Sequence, residues 1–347
     1  MRSALIAIAL SAGLVSAPGG DAPRAPLAQF YYVDDTAAYQ SLEQNSGSIG
    51  VLSPAWIVVG ADGAIKTTID ARVARLAAER GIALMPIVMN GDFEVAVLRA
   101  VLRDDASRSA LAGKLARLAL AEGFQGLQLD FENLEASDRE PYADLASRLG
   151  EELHRYGKQL SVAVASPVYS IGAVDAKPAS WTPTPRSEGF DYARLASASD
   201  FLTLMAYDQY ATADTPGPVA GIAWVEACIR TVLETVPASK IMLGLPLYHR
   251  HWAGTRVTTG PWAEAQAEAM RADAPPVWSP LHEEPSIRFD RDRVSHVIWF
   301  HDAASLARRM ELMRRYRLRG FSAWRLGQED PAVWPRVFER KGDPAWP

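Results

Sequence analysis

A single cysteine, Cys228, stands among 347 residues, which excludes an internal disulfide and any cysteine-cluster metal site. Basic residues are not in excess: Lys+Arg 36 against Asp+Glu 41 leaves a formal net charge of −5. A chain without a positive field is poorly suited to displacing counterions from nucleic acid, so no nucleic-acid partner is expected. Long apolar runs are missing beyond the N-terminus, and the one there, residues 4–17, is shorter than the roughly 18–20 residues a bilayer span requires. No Gly-x-Ser-x-Gly elbow, Walker loop or Gly-x-Gly-x-x-Gly fingerprint occurs, which leaves serine-esterase, NTPase and dinucleotide readings without support.

What is present is an ordinary globular composition, 48% hydrophobic and 22% charged, long enough for one large barrel-type domain or two average ones. Arg2, the short apolar run and the small residues that follow it have the form of a secretory signal peptide over residues 1–20. The expectation is therefore an exported protein, periplasmic or extracellular, with no membrane anchor and acting as a monomer. Residues 27–347 would form the folded part.

Short β-rich runs alternate with amphipathic segments. The runs are 30–33, 49–52 (with 56–59 nearby), 82–89, 126–131, 160–165, 201–207, 241–247 and 320–326. The helical segments include 69–80, 108–122, 138–156, 219–236 and 303–316. Such alternation implies right-handed βαβ units and a parallel sheet. Eight units in this length fit an α/β fold of the closed (β/α)8 TIM barrel type better than an open sheet. The spacing stretches between the seventh and eighth runs, so a small α+β insertion is expected at about 249–299. The Arg-rich stretch 308–319 reads as an amphipathic helix with a solvated basic face.

The chemistry concentrates in Gly126-Leu127-Gln128-Leu129-Asp130-Phe131-Glu132-Asn133. Side chains alternate along a strand, so Leu127, Leu129 and Phe131 face the helices while Gln128, Asp130 and Glu132 face the barrel interior. Two carboxyls in one buried column raise the proton affinity of one of them, as a general acid near neutral pH requires. The C-terminal end of a barrel strand is also where catalytic groups sit. On spacing alone a buried polar network that only fixes packing is an equal alternative.

This segment resembles the fourth-strand signature of glycoside hydrolase family 18, Asp-x-x-Asp-x-Asp-x-Glu, with Gln125 and Gln128 at its first two Asp positions. Leu204-Met205-Ala206-Tyr207-Asp208 resembles the family's Met-x-Tyr-Asp, and 320–331, with Trp324, resembles its closing strand. Asp62-Gly63 and the 297–306 segment resemble one branch of the family, the bacterial spore-germination and cortex-lytic N-acetylglucosaminidases. The resemblance implies Glu132 as general acid and then base. It implies Asp130 as the partner of the substrate's 2-acetamido N–H, and Tyr207 as the group that orients the acetamide oxygen. Trp324 would floor the sugar, Asp208 would support the site, and Gln128, Asn133, Gln209 and the insertion tryptophans would be candidates for substrate contact. It implies no metal and no organic cofactor, and a partner glycan containing N-acetylglucosamine, peptidoglycan first and chitin or its oligosaccharides second. Two other readings remain beside it: a non-catalytic carbohydrate-binding barrel, and a metal hydrolase suggested by His249-x-His251.

Overall fold

Among the described residues, eight parallel strands close into a barrel, and the chemistry of the inward-facing residues divides its interior into layers. The computed structural model describes residues 27–338 except 92, 94, 172–179, 213 and 214. The signal-peptide reading of residues 1–20 thus lies outside the described residues. The strands are β1 (Leu27–Tyr32), β2 (Val51–Pro54 continued by Ile57–Val59), β3 (Ala83–Leu84 continued by Ile87–Met89) and β4 (Gly126–Asp130). They continue with β5 (Gln159–Ala165), β6 (Phe201–Met205), β7 (Ile241–Pro246) and β8 (Gly320–Trp324). β2 and β3 are each interrupted. The first part of β3 pairs with the first part of β2, and its second part bridges β2 to β4. β8 pairs with β7 and with β1, which closes the ring.

Helices follow the strands, and aspartate starts five of them. Asp35, Asp70, Asp104, Asp191 and Asp302 each accept a main-chain N–H of the first turn through the side chain. Each such cap is worth about 1 kcal/mol to its helix. The outward side chains of β4 behave as alternation requires: Phe131 packs on Tyr142 of helix Arg139–Arg155, ring centroids 5.6 Å apart. The Arg-rich helix Ala303–Arg315 departs from its expected solvated basic face at one position. Arg309 is 1% exposed and donates to the carbonyls of Ala220, His282, Glu283 and Ser305. It also lies beside the fully buried Glu284, whose carboxylate accepts from Val219 N and Ala220 N. Pairing of the two terminal nitrogens is what makes burial of this guanidinium tolerable, while its Nε has no hydrogen-bond partner among the described residues.

Inside the barrel the lowest layer is apolar, with Val51, Met85, Phe201 and Met242 packed together. Above it lies a polar belt. Gln29 donates to Ser53 and Gln128 at 2.6 Å each and accepts from Ser322 at 2.6 Å, and Thr203 lies 3.1 Å from Ser322. Leaving any of these buried groups unpaired would cost about 1–3 kcal/mol. The belt therefore selects mutually satisfied side chains from β1, β2, β4, β6 and β8 and presents a defined floor to the mouth.

Between β7 and β8 the chain forms the expected insertion, spanning 248–300. It is an antiparallel five-stranded sheet ordered Arg256–Pro261, Tyr248–Ala253, Val294–Phe300, Glu284–Arg291, Val277–Ser279, with helix Trp262–Ala272. Trp252 and Trp299 are buried with Val219, Tyr248 and Val297, and Tyr207 and Trp324 of the barrel pack against that cluster. The insertion is thus one wall of the barrel mouth. Trp252 and Trp299, expected as candidates for sugar contact, are instead its core. The His pair is absorbed locally: His249 Nδ1 lies 2.9 Å from Pro261 O, and His251 Nε2 lies 2.9 Å from His296 Nδ1.

Candidate active site

The ends of β1, β4, β6 and β8 bring the distant sequence segments into one patch. Asp130 closes β4, paired with Met89 of β3, and is 4% exposed. Its Oδ1 finds no hydrogen-bond partner among the described residues. Glu132, two residues on, is half-buried, and Asn133 then turns the chain away at φ 58°. The same device follows Tyr207, where Asp208 has φ 61°. Asn and Asp tolerate this left-handed region better than most residues, so both motif positions have a backbone reason as well as a chemical one.

Burial lifts the Asp130 carboxyl well above the usual carboxylate range, and the neighbouring Glu132 adds to it. Burial also lifts Glu132, the Asp208 carboxylate lifts it further, and the Arg186 guanidinium pulls it partly back. The two acids therefore resist ionising together and hold a proton between them at pH values where an exposed pair would have lost both. Burial also raises the hydroxyls of Tyr31, Tyr207 and Tyr248, so all three remain neutral donors.

Tyr207 fits because β7 carries a glycine beside it. A Cβ on Gly244 would lie 2.8 Å from the Tyr207 ring and 2.5 Å from Leu204 O. Tyr207 also meets Tyr248 edge-on, centroids 6.4 Å apart. Asp208 accepts from Tyr248 and Arg250, both supplied by the insertion. Trp324, partly exposed at the end of β8, lies against Tyr31 with centroids 5.1 Å apart, and its peptide bond to Arg325 is cis.

Glu132, Asp130, Tyr207, Asp208 and Trp324 thus share one site. Gln128 does not reach its surface. It is fully buried in the belt, donating to Tyr31 OH at 2.7 Å and accepting from Gln29, and so it supports Tyr31 rather than contacting Asp130 or a sugar. An aspartate there could not donate to Tyr31, which is a physical reason for the amide. Gln209 accepts from Gly221 N at 2.8 Å and so pins the loop before helix Ile222–Leu233. Asn133 donates to Phe93 O at 3.0 Å from an exposed position. Tyr31, Asn90, Arg186, Tyr248 and Arg250 join the site without having been singled out in the sequence. Only inward alternation of Gln29 and Tyr31 on β1 could have pointed to any of them.

Known proteins share the family and the fold. Residues 72–329 match the family described as Glycosyl hydrolases family 18. The chain is 30% identical over 269 residues to the glycosylase YdhD of Bacillus subtilis, described as sporulation-specific; the match covers 76% of this chain and 60% of that protein. It is 28% identical over 261 residues to the cortical fragment-lytic enzyme of Bacillus subtilis, covering 72% of this chain and 58% of that enzyme. The chain therefore spans about 60% of the length of these curated relatives. Among solved structures, a chitinase from Chromobacterium violaceum superposes with a TM-score of 0.81 at 28% identity, over 90% of this chain and 98% of that one. A (β/α)8 barrel, two carboxyls at the end of β4, a tyrosine after β6 and a family match over most of the chain lead to one assignment: the chain belongs to glycosyl hydrolase family 18.

Proposed function

We propose that this chain is a glycoside hydrolase that acts outside the cytoplasm and cleaves β-linked N-acetylglucosamine glycans with retention. Peptidoglycan is the first substrate and chitin or chitooligosaccharides the second. The observation that carries the reading is the Asp130 Oδ1 atom, buried beside Glu132 with no hydrogen-bond partner among the described residues. An unpaired buried carboxyl oxygen is costly, and an acetamido N–H is a donor of the right kind to satisfy it. Glu132 protonates the glycosidic oxygen. The carbonyl oxygen of the substrate's own 2-acetamido group attacks the anomeric carbon, closing an oxazolinium ring as the leaving group departs. Asp130 offsets the charge that develops on the acetamide nitrogen, while the neutral Tyr207 hydroxyl orients its oxygen. Glu132, now ionised, takes a proton from water, which opens the ring from the same face. Substrate assistance of this kind is an established exception to the two-carboxylate scheme. Trp324 offers a flat apolar face to the C–H face of the pyranose. No step calls for a metal or an organic cofactor. Peptidoglycan ranks first because a relative covering 72% of the chain is named for lysis of cortical fragments.

The test offers purified glycan strands of both polymers and follows the products by mass and by proton NMR. N-acetylglucosamine reducing ends that first appear as the β anomer are expected. N-acetylmuramic ends, or an initial α anomer, would overturn the proposal.

The pH dependence has a definite sign. The first step needs Glu132 protonated, and its proton affinity is raised by burial and Asp208. The alkaline limb of kcat/KM is therefore expected above the ordinary glutamate range, about 4.3. Arg186 opposes that rise, so Arg186→Met moves the limb to higher pH. A limb that stays put or falls would show that Arg186 does not act on the acid.

A further inference from the structure

The fourth strand stops pairing two residues before Glu132. The β3–β4 ladder ends with Met89 opposite Asp130, and β4 itself ends at Asp130. Glu132 lies past that end, and the left-handed turn at Asn133 follows at once. Beyond the ladder, Glu132 N donates to Asn90 Oδ1 at 3.0 Å, and Asn90 Nδ2 donates to Glu132 O at 3.2 Å. Asn90 directly follows Met89 and is fully buried. Both main-chain polar groups of Glu132 are thus taken by one side chain, from a residue 42 positions earlier.

We infer that Asn90 is a positioning residue for the acid: its amide replaces the missing rung of the ladder and holds the Glu132 main chain at the barrel mouth. A carboxamide of this length carries a donor and an acceptor together without charge at every pH, which a carboxyl does only while protonated. Leucine or serine leaves a main-chain group unpaired, and an ionised aspartate lacks the donor. The inference rests on Glu132 being the acid, as proposed above. Its catalytic weight follows from geometry, because displacement of a reacting group by about 1 Å can cost about 100-fold in rate.

Three variants of the full chain test it with nitrophenyl N,N′-diacetylchitobioside. Asn90→Ala is expected to lower kcat by about 10- to 100-fold, with KM within about threefold, since Asn90 touches no sugar. Asn90→Asp distinguishes a clamp from general support of the fold. Protonated, the new side chain can still donate to Glu132 O and accept from Glu132 N. Ionised, it repels both that carbonyl and the acid. The groups facing Glu132 are Asp130 on its own segment, Asp208 and Tyr207 after β6, Tyr31 on β1 and Arg186 after β5. All are shared with the parent protein. The ratio of Asn90→Asp to parent activity therefore climbs as pH falls, while the Asn90→Ala ratio stays flat.

A pH-independent Asn90→Asp ratio, an unchanged kcat in Asn90→Ala, or a loss confined to KM would each overturn the inference. If Asn90→Ala does not fold, the Asn90→Asp profile decides alone, on samples whose circular dichroism matches the parent at each pH. Glu132→Gln separates the two levels of the argument. If it remains active, the acid assignment falls. If it is inactive while both Asn90 variants match the parent, only the clamp falls.

Discussion

Glutamine at position 132 is expected to reduce kcat on an N-acetylglucosamine oligosaccharide by about 10²- to 10⁴-fold, the usual weight of a positioned general acid. KM should change little. The amide keeps the volume and polarity of Glu132 but cannot deliver a proton to the glycosidic oxygen. Stability moves the other way. Burial and Asp208 raise the folded-state proton affinity of Glu132, so the folded state holds this proton more tightly than the unfolded chain does. Its contribution to stability is complete below the unfolded value and is lost as pH rises through the folded one. Above that window the parent carries an unfavourable buried charge, and Glu132→Gln should melt at the same temperature or higher. Retained turnover would remove Glu132 from the mechanism. A parent protein that binds the oligosaccharide but never cleaves it would support a carbohydrate-binding barrel instead.

Alanine or asparagine at position 130 is expected to lower kcat by about 10²- to 10³-fold, comparable with losing one preorganised group that meets developing charge. Asparagine still offers a carbonyl to the acetamido N–H, yet it cannot offset the positive charge of the oxazolinium nitrogen. It should therefore retain substrate binding better than turnover. The informative arm is added azide. Were Asp130 a covalent nucleophile, Asp130→Ala would open space for azide to attack the anomeric carbon, giving a glycosyl azide of inverted configuration and restoring rate. With the acetamido group as nucleophile, azide attacks only after the ring has closed, so it neither rescues the variant nor inverts the product. Rescue with inversion would replace substrate assistance by the two-carboxylate scheme.

The β4 segment could be read correctly because its information is local. A strand alternates faces, so Gln128, Asp130 and Glu132 had to share a column, and Phe131 had to meet the helix layer, as it does on Tyr142. The same local logic located the insertion, since an excess of chain between β7 and β8 must go somewhere. It failed where a side chain's role depends on a partner far along the chain. Gln128 occupies a motif position that the family signature fills with Asp, and it ends beneath the site because Gln29 and Tyr31, 99 and 97 residues away, take its amide. Arg309 sits on a helix that looked basic and solvated, yet carbonyls of the 220 and 282–283 segments bury it. Gly244 carries no chemistry at all, and only the packed structure shows that its missing Cβ is the space Tyr207 occupies.

The amino-acid sequence by itself determined the barrel class, the place of the insertion and the nearness of the Asp130 and Glu132 carboxyls, because strand and helix periods and motif spacing act over a few residues. Tertiary structure alone decided which groups support that pair. Asn90 pairs with both main-chain groups of Glu132, Tyr248 and Arg250 hold Asp208, and the glutamine-centred belt carries Tyr31. The physical reason is that a hydrogen bond needs its two atoms within about 3 Å. Closing the barrel brings residues tens to hundreds of positions apart within that distance, and no local pattern encodes which of them will meet.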